Sequence, residues 1–349
     1  MAAWPRPACG RTFVCVQVPL VLIYFNGIQD FPAWKYTPEP PGLAARVQQV
    51  PKRRLSSEER EVFKRDGVVI VRGVMPDERI LGFFDSFPEM DWRRTHSGAM
   101  HALLRDGPLG GLAASALGVA EARVFEVSVW QQPSPLPFGL GSVHNWHQDY
   151  HEDEEGKMIP IVSTWLSLSE DARALEFALG SHKRSVKTQC SSPHAWQIWM
   201  LPDDCVREAY PSATKAFVFD KGDVAVFQGQ VLHQGLNAGE HRLAIAVRWV
   251  AAGAQYSRRL YQSNSLVEYG RYMPQDCGPF DSPLFPVFPR AKPSPNETGA
   301  GLVGQDERWP VIPTFQDVFA MWKPISDYNS GQHRSLPPCN ATWDDGTDL

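Results

Sequence analysis

The sequence has no Cys-x-x-Cys pair, no excess of basic residues and no long apolar run. Without paired cysteines it carries no zinc-ribbon or thioredoxin-like motif, and the scattered cysteines favour free thiols over a disulfide framework. The net charge of −5 argues against a nucleic-acid partner, because no basic field would attract phosphates. The six cysteines are Cys9, Cys15, Cys190, Cys205, Cys277 and Cys339.

The most apolar part of the N-terminus, residues 12–25, is too short for a membrane span and is interrupted by Gln17 and Pro19. Residues 1–29 contain no acid, so this segment is either a signal or organelle-targeting sequence or part of a cytoplasmic chain. We expect a cytoplasmic or organellar location and no stable membrane span. The sequons at Asn296 and Asn340 would be glycosylated only in a secretory compartment.

Length and composition indicate one main domain with extensions. A chain of 349 residues, 43% hydrophobic and 21% charged, can bury a large core. We predict an N-terminal lead-in or targeting segment over 1–54, the main domain over 55–252 and a Pro-rich C-terminal extension over 253–349. Twelve of the 30 prolines lie between residues 274 and 338, and the aromatic residues among them predict that this extension packs on the core.

Short strands separated by turn residues dominate the main domain. A capping-box pattern, Ser56-Ser57-Glu58-Glu59, opens a helix through about Lys64, and further helices are expected after Pro76 and within 101–117. Residues 30–54 are expected to be irregular, and residues 188–213 form a poorly patterned insertion. Apolar or alternating runs predict strands at 68–71, 125–130, 159–168, 175–179, 216–219, 224–227 and 242–250. This pattern is typical of a mainly β fold with flanking helices, a jelly roll or barrel.

The candidate site begins at His147-Gln148-Asp149. In a strand, alternate side chains share a face, so His147 and Asp149 point to one side and Gln148 to the other. His233, far downstream, supplies a third ligand if the sheet rolls up. Two histidines and one carboxylate form the facial triad that holds Fe(II) and leaves its other coordination positions open. The alternative is an ordinary histidine and carboxylate pair without a metal.

Arg242 follows His233 by nine residues and opens an apolar run. A guanidinium at this place can grip a carboxylate through two hydrogen bonds. Positions 242, 244, 246 and 248 share a strand face, and Ala244 and Ala246 leave room beside the guanidinium for a bound diacid. Arg248 shares this face but is expected to lie too far along the strand to meet the same carboxylate.

A series of further motifs accompanies the candidate ligands within residues 56–250. In chain order these stretches are Arg65-Asp66-Gly67-Val68-Val69, Trp146-His147-Gln148-Asp149, Ser163-Thr164-Trp165-Leu166-Ser167-Leu168, Gly180-Ser181-His182-Lys183, Lys221-Gly222-Asp223-Val224, His233, Asn237 and Arg242. Taken in this order, they resemble the phytanoyl-CoA dioxygenase family of Fe(II)/2-oxoglutarate-dependent oxygenases. The resemblance implies a double-stranded β-helix core, a cupin-like jelly roll, and the use of Fe(II), 2-oxoglutarate and O2.

The resemblance also implies roles for individual residues. Arg242 corresponds to the partner of the distal carboxylate of 2-oxoglutarate. Gln132 and Trp165 correspond to positions that line the cosubstrate pocket. The residues that correspond to iron ligands are His147, Asp149 and His233.

The chain departs from the family pattern in the cosubstrate pocket. Two residues after His233, where the family often has a hydroxyl that helps to hold the carboxylate, this chain has Gly235. Thr164 or a tyrosine is the candidate replacement. The departures leave the three ligands unchanged, so they concern the cosubstrate geometry more than the class of reaction.

The sequence thus predicts an Fe(II)/2-oxoglutarate-dependent dioxygenase that hydroxylates or otherwise oxidises an unactivated C–H bond of a small organic molecule, with release of succinate and CO2. Two alternatives stay open: a metal-binding jelly-roll protein without turnover, and an oxygenase that acts on a protein or peptide side chain. The acidic run at 152–155 favours a cationic or zwitterionic small molecule. The sequence leaves the oligomeric state open.

Overall fold

The computed structural model describes residues 39–85, 98–132, 146–149, 160–169, 172–183, 201–236, 242–254 and 287–288. Its helices are α1 (Leu43–Gln49), α2 (Ser57–Asp66), α3 (Glu78–Asp85), α4 (Gly98–Arg105), α5 (Pro108–Ala116) and α6 (Asp203–Ala209). Its strands are β1 (Val68–Val71), β2 (Ala122–Gln132), β3 (Val162–Ser167), β4 (Ala172–Ala178), β5 (Thr214–Phe219), β6 (Val224–Gln228), β7 (His233–Gly235), β8 (Arg242–Ala251) and β9 (Val287–Phe288).

The strands form two antiparallel sheets. The large sheet has the order β1-β6-β3-β8-β2-β9, and the small sheet has the order β5-β4-β7. From β3 onward the chain crosses between them, because β4, β5 and β7 lie in the small sheet while β6 and β8 return to the large sheet. Two antiparallel sheets wound in this way form a jelly roll. The predicted fold class, mainly β with flanking helices around a double-stranded β-helix, is confirmed.

Strand β8 shows how the two faces of the large sheet differ. Its odd-numbered residues from Leu243 to Trp249 belong to the apolar core that includes the helices. On the other face, Ala244 belongs to a second cluster with Trp165, Phe177 and Phe227. This second cluster draws residues from both sheets and therefore marks the interior of the jelly roll.

Local sequence signals set the N-terminal elements as predicted. Ser56 accepts a hydrogen bond from the backbone N–H of Glu59, whose side chain accepts one from the N–H of Ser56, so the capping box at the start of α2 is complete. Gly67 ends the helix with φ +80°, and a Cβ at this position would collide with the ring of His182. The chain then enters β1, which pairs with β6 at the edge of the large sheet.

The expectation of an irregular chain over 30–54 is wrong for residues 43–49, which form α1. Leu43 and Val47, four residues apart, bury one face of this helix in the core, where Val50 follows them. A single apolar pair at helical spacing is too brief a pattern to predict a helix among prolines and charges.

The poorly patterned insertion 188–213 contains α6. Val206 and Tyr210, again four residues apart, pack in a small cluster with Trp146. Cys205 of this helix is disulfide-bonded. The expectation of free thiols is therefore wrong at Cys205, because scattered spacing along the sequence does not report which cysteines meet in the fold.

The predicted terminal segments lie largely outside the described residues, as does the apolar run 12–25. Within the predicted extension 253–349, strand β9 pairs with β2 at Ala122 and Arg123, on the edge of the large sheet. Among the residues that the structure describes, no helix is long and apolar enough to cross a membrane.

Candidate metal site

His147 and His233 lie directly opposite each other in the small sheet. The N–H of His147 donates to the carbonyl of His233 at 2.9 Å, and the N–H of His233 donates to the carbonyl of His147 at 3.0 Å. This reciprocal pair is an isolated bridge that adds the His147 segment to the free edge of β7. Directly opposed residues share a face of a sheet, so the two imidazoles lie together, with ring centroids 4.2 Å apart.

Asp149 completes the group that the sequence predicts. Its Oδ1 lies 3.9 Å from Nε2 of His147 and 3.8 Å from Nε2 of His233. One ligand atom from each of the three residues lies within 4.8 Å of the others. The side-chain amide of Gln148, between His147 and Asp149, donates instead to the carbonyl of Gln230. The structure thus brings the three predicted ligands together and leaves Gln148 out.

The donor atoms fit a first-row divalent metal. Histidine nitrogens and carboxylate oxygens bind such ions at about 2.0–2.2 Å, so two ligand atoms at right angles are about 3 Å apart. The observed separations of 3.8 and 3.9 Å exceed that spacing by roughly 0.8–0.9 Å. His233 Nδ1 lies 3.0 Å from the carbonyl oxygen of Val231. A hydrogen bond there keeps the proton on Nδ1 and leaves Nε2 with a lone pair for a cation.

Two further side chains hold the carboxylate of Asp149. Arg248 Nη2 donates to Oδ1 and the hydroxyl of Ser163 donates to Oδ2, each at 2.6 Å. Burial raises the pKa of Asp149, but the charge of Arg248 and its hydrogen bond to the carboxylate outweigh it and hold the pKa far below its usual value. The group is therefore a carboxylate. Because each carboxylate oxygen has two lone pairs, Oδ1 can accept from Arg248 and still bind a cation.

His233 is buried among aromatic rings. Its ring centroid lies 4.8 Å from that of Phe227 and 5.8 Å from that of Phe177, on which it stacks. Burial lowers the pKa of His233, because the imidazolium form loses more hydration than the neutral ring. The neutral form, which is the form that binds metals, is therefore favoured.

The two pocket residues predicted on β3 point to opposite faces. Trp165 lies in the interior cluster, with its ring centroid 4.9 Å from that of Phe219. The hydroxyl of Thr164 instead accepts a hydrogen bond from Nε1 of Trp249 at 2.8 Å, on the face that the helices cover. Neighbouring residues of a strand cannot share a face. The structure therefore brings Trp165 towards the interior but does not bring Thr164 to the triad.

Arg242 and Gln132 lie opposite each other where β8 begins and β2 ends. Their side chains lie outside the described part of the chain. Arg242 is six residues before Arg248 on β8, which corresponds to about 20 Å along a strand. Gly235, at the end of β7, pairs with Leu175 of β4.

Sequence reasoning misses the two residues that touch Asp149, Ser163 and Arg248. The sequence predicts that Arg248 lies too far along β8 to meet the distal carboxylate of 2-oxoglutarate, and this stays a prediction. The register pairs Arg248 with Ser163 of β3 and brings it to Asp149. Ser163 is two residues before Trp165 and Arg248 is two residues after Ala246, so each lies on the same strand face as that interior residue. A polar residue at a position of an apolar strand whose side chain faces the interior is the signal that identifies both.

No protein-family model matches the sequence, and no curated protein matches it. Among solved structures, the chain is similar to the non-heme alpha-ketoglutarate-dependent carbocyclase SnoK from nogalamycin biosynthesis, with 17% identity, 67% of this chain and 96% of that chain covered, and a TM-score of 0.46. It is similar to the epimerase SnoN, in complex with Fe3+, alpha-ketoglutarate and nogalamycin RO, with 16% identity, 71% and 99% coverage, and a TM-score of 0.49. EctD from S. alaskensis, with 2-oxoglutarate and 5-hydroxyectoine, shows 16% identity, 58% and 78% coverage, and a TM-score of 0.44. The resemblance to the phytanoyl-CoA dioxygenase family stays a prediction.

Proposed function

We propose that this protein is an Fe(II)/2-oxoglutarate-dependent oxygenase that acts on a small organic molecule. The observation that carries the proposal is the convergence of His147, Asp149 and His233 within one jelly-roll site. Two imidazoles and one carboxylate are the donor set that holds non-haem Fe(II) on one side. The neutral form of His233 and the ionised form of Asp149 are the forms that ligation requires.

The surrounding residues define which atoms would hold the metal. His233 would bind through Nε2, because Nδ1 lies against the Val231 carbonyl. Asp149 would bind through Oδ1, which lies 3.8 and 3.9 Å from the two histidine Nε2 atoms, while Ser163 holds Oδ2. When bound, Fe(II) with 2-oxoglutarate and O2 supplies the oxidising power to hydroxylate an unactivated C–H bond, with release of succinate and CO2.

The charges beside the triad favour a dianionic cosubstrate. Asp149 and Arg248 form an ion pair and cancel each other, so a bound Fe(II) ion gives the group two net positive charges. The two carboxylates of 2-oxoglutarate balance that charge. We infer that the guanidinium of Arg248, which lies beside the triad, rather than that of Arg242 at the start of β8, is the hydrogen-bond donor that a cosubstrate bound at the triad meets. Arg242 remains the predicted alternative.

Apolar side chains shield the space around the triad from water. Trp165, Phe177 and Phe227 are 4%, 0% and 3% exposed and belong to the interior cluster. Ala244 and Ala246, on β8, add only methyl groups to this cluster. Apolar and aromatic walls with a few polar groups are typical of sites for small organic molecules. These walls would hold the carbon skeleton of a substrate while the triad holds the metal.

Part of the substrate prediction depends on residues outside the described part of the chain. The acidic run 152–155 is the basis for a cationic or zwitterionic substrate, and this preference stays a prediction. The cytoplasmic or organellar location stays a prediction as well.

Succinate formation tests the proposed function. The purified protein is supplied with Fe(II), 2-oxoglutarate, O2 and a panel of small molecules, with His233→Ala as the matched control. We expect succinate from the wild type with at least one small molecule, and none above background from the variant, which lacks one ligand. Equal succinate from both proteins would contradict the site. Metal binding without succinate would identify a jelly roll without turnover, and succinate with peptides alone would identify a protein oxygenase.

A further inference from the structure

Trp146 and Gln234 each adjoin a histidine of the triad, and their side chains lie on the opposite face of the small sheet. Alternation along the chain requires this, since the histidines themselves share the other face. Nε1 of Trp146 donates to Oδ1 of Asp203 at 2.7 Å. Nε2 of Gln234 donates to Oε2 of Glu176, also at 2.7 Å. A row of polar contacts therefore lies directly behind the candidate metal ligands.

Arg207 of α6 joins these contacts into one network. Its Nη1 and Nη2 donate to the two carboxylate oxygens of Glu176 at 3.1 and 3.0 Å, and its Nε donates to Asp203 at 2.8 Å. The guanidinium also lies 5.9 Å from the ring centroid of Trp146. We call this network the outer clamp, and its members are Trp146, Glu176, Asp203, Arg207 and Gln234.

Two residues of the outer clamp, Glu176 and Gln234, face each other across β4 and β7, one position along from the pair that contains the candidate ligand His233. Glu176 of β4 pairs with Gln234 of β7, and the next residue, Phe177, pairs with His233. His233 stacks on Phe177 on the inner face, while Gln234 is hydrogen-bonded to Glu176 on the outer face. Because adjacent residues share one backbone, a shift of the outer row shifts the histidines by a similar distance.

Few backbone hydrogen bonds hold the His147 segment and β7 in place. Strand β7 has three residues, and the His147 segment joins it only as an isolated bridge. Because each backbone hydrogen bond adds only modestly to stability, so short a pairing by itself resists displacement weakly. The clamp adds a bidentate arginine–carboxylate pair, in which the Glu176 side chain is 9% exposed, and such pairs are geometrically specific.

We propose that the outer clamp is a positioning device for the metal site. Through Trp146 and Gln234, helix α6 holds the two histidine segments in register and thereby sets the spacing of the imidazoles. The inference rests on the proposed metal-binding function. The clamp residues act through the backbone and do not themselves touch the metal.

The pair Arg72–Asp223 offers a matched control for the clamp pair Arg207–Glu176. In both, an arginine that is partly exposed meets a buried carboxylate: the exposed fractions are 44% and 9% for the clamp pair, and 55% and 3% for the control pair. The control pair ties the end of β1 to the turn before β6 in the large sheet. Loss of either pair removes a similar ion pair, but only one of them adjoins the histidine segments.

Titration with Co(II) tests the clamp in the full-length protein, with thermal unfolding measured on the same samples. We expect Arg207→Met to weaken Co(II) binding by about ten-fold, the lower end of the range for residues that orient metal ligands, and to change the visible spectrum of bound Co(II). Arg72→Met is expected to lower the unfolding temperature while the Co(II) affinity and spectrum stay those of the wild type.

Several outcomes overturn the inference. Wild-type Co(II) affinity and spectrum in Arg207→Met do so, and so does an equal loss of affinity in the two variants. If Arg207→Met does not fold, Trp146→Phe decides, because it removes the donor to Asp203 and keeps an aromatic ring; unchanged Co(II) binding in that variant overturns the clamp. Absence of Co(II) binding by the wild type would overturn the metal site itself, and the clamp with it.

Discussion

Arg248 and Asp149 form an ion pair of 2.6 Å inside the jelly roll, with side chains that are 17% and 3% exposed. The pair connects β8 to Asp149, two residues after the bridge between His147 and His233. It keeps Asp149 ionised against the cost of burial. The same carboxylate oxygen faces both histidines. One side chain of the protein therefore prepares the ligand that the proposed metal needs.

Replacement of Arg248 by methionine is expected to destabilise the protein in metal-free buffer. Removing one partner of a buried ion pair leaves the other charge uncompensated and costs about 3–5 kcal/mol in the free energy of unfolding. A divalent metal supplies positive charge to Asp149, so Co(II) is expected to stabilise the variant more than the wild type. Denaturant unfolding with and without Co(II) measures both effects. Equal stability of the two proteins without metal would contradict the ion pair.

The same variant separates the two candidate partners of 2-oxoglutarate. Hydrogen bonds to charged groups contribute about 1.5–3 kcal/mol, so we expect Arg248→Met to weaken 2-oxoglutarate binding to the metal-loaded protein by about ten-fold or more. Arg242→Met, at the other end of β8, is expected to have a smaller effect. Calorimetric titration measures both. A larger loss in Arg242→Met would show that Arg242, as the sequence predicts, is the partner of 2-oxoglutarate.

Ser163→Ala is expected to weaken metal binding and also to lower the free energy of unfolding of the metal-free protein by about 1–3 kcal/mol, because Oδ2 of the buried Asp149 loses this donor. The hydroxyl donates to Oδ2 of Asp149 and so limits the rotation of the carboxylate that presents Oδ1. Residues that orient metal ligands in this way typically change metal affinity by about 10- to 100-fold. A Co(II) titration beside a thermal unfolding curve makes the test. An unchanged affinity would show that Arg248 alone orients Asp149.

Thr164→Val, at the neighbouring position, is expected to lower the stability of the protein without weakening metal binding. It removes the acceptor of the buried Trp249 indole N–H, and an unsatisfied buried donor costs about 1–3 kcal/mol in the free energy of unfolding. Because Thr164 lies on the face covered by helices, the affinities for metal and 2-oxoglutarate should stay those of the wild type. A variant with weakened 2-oxoglutarate binding would restore Thr164 to the predicted cosubstrate pocket.

Features that depend on neighbouring residues, such as helix starts and strand faces, can be predicted from local sequence patterns. The Ser56 and Glu59 side chains signal the start of α2 because they hydrogen-bond within one helical turn. The face of β8 that points into the jelly roll follows from the alternation of side chains, which places Ala244 and Ala246 on one face. The His147 and Asp149 pair was visible for the same reason, since residues two apart leave an extended chain on the same side.

Register and long-range contacts were not visible in the sequence. The pairing of Ser163 with Arg248 decides which arginine reaches Asp149, and no local signal sets that register. The outer clamp depends on where α6 packs, within a segment that has little pattern of its own. Thr164 and Trp165 are neighbours on β3 and therefore lie on opposite faces, so only Trp165 lies in the interior; the predicted role of Thr164 beside the cosubstrate stays a prediction.

Reduction of the disulfide at Cys205 is expected to lower the free energy of unfolding by about 2–4 kcal/mol, the usual contribution of such a bond. Cys205 and Arg207 both lie on α6, so the loss should appear together with weaker Co(II) binding. Peptide mapping under non-reducing conditions, followed by unfolding with and without a reductant, checks both statements. Recovery of Cys205 as a free thiol from the native protein would contradict the disulfide.

An anaerobic titration with Fe(II), followed by 2-oxoglutarate, tests whether the triad binds iron, with Asp149→Ala as the matched variant. We expect the wild type to bind one Fe(II) per chain, and 2-oxoglutarate then to produce a visible absorption band from its chelation to the iron. The variant should bind Fe(II) far more weakly and show no band. Absence of Fe(II) binding by the wild type, or equal binding by Asp149→Ala, would contradict the assignment of His147, Asp149 and His233 as a metal site.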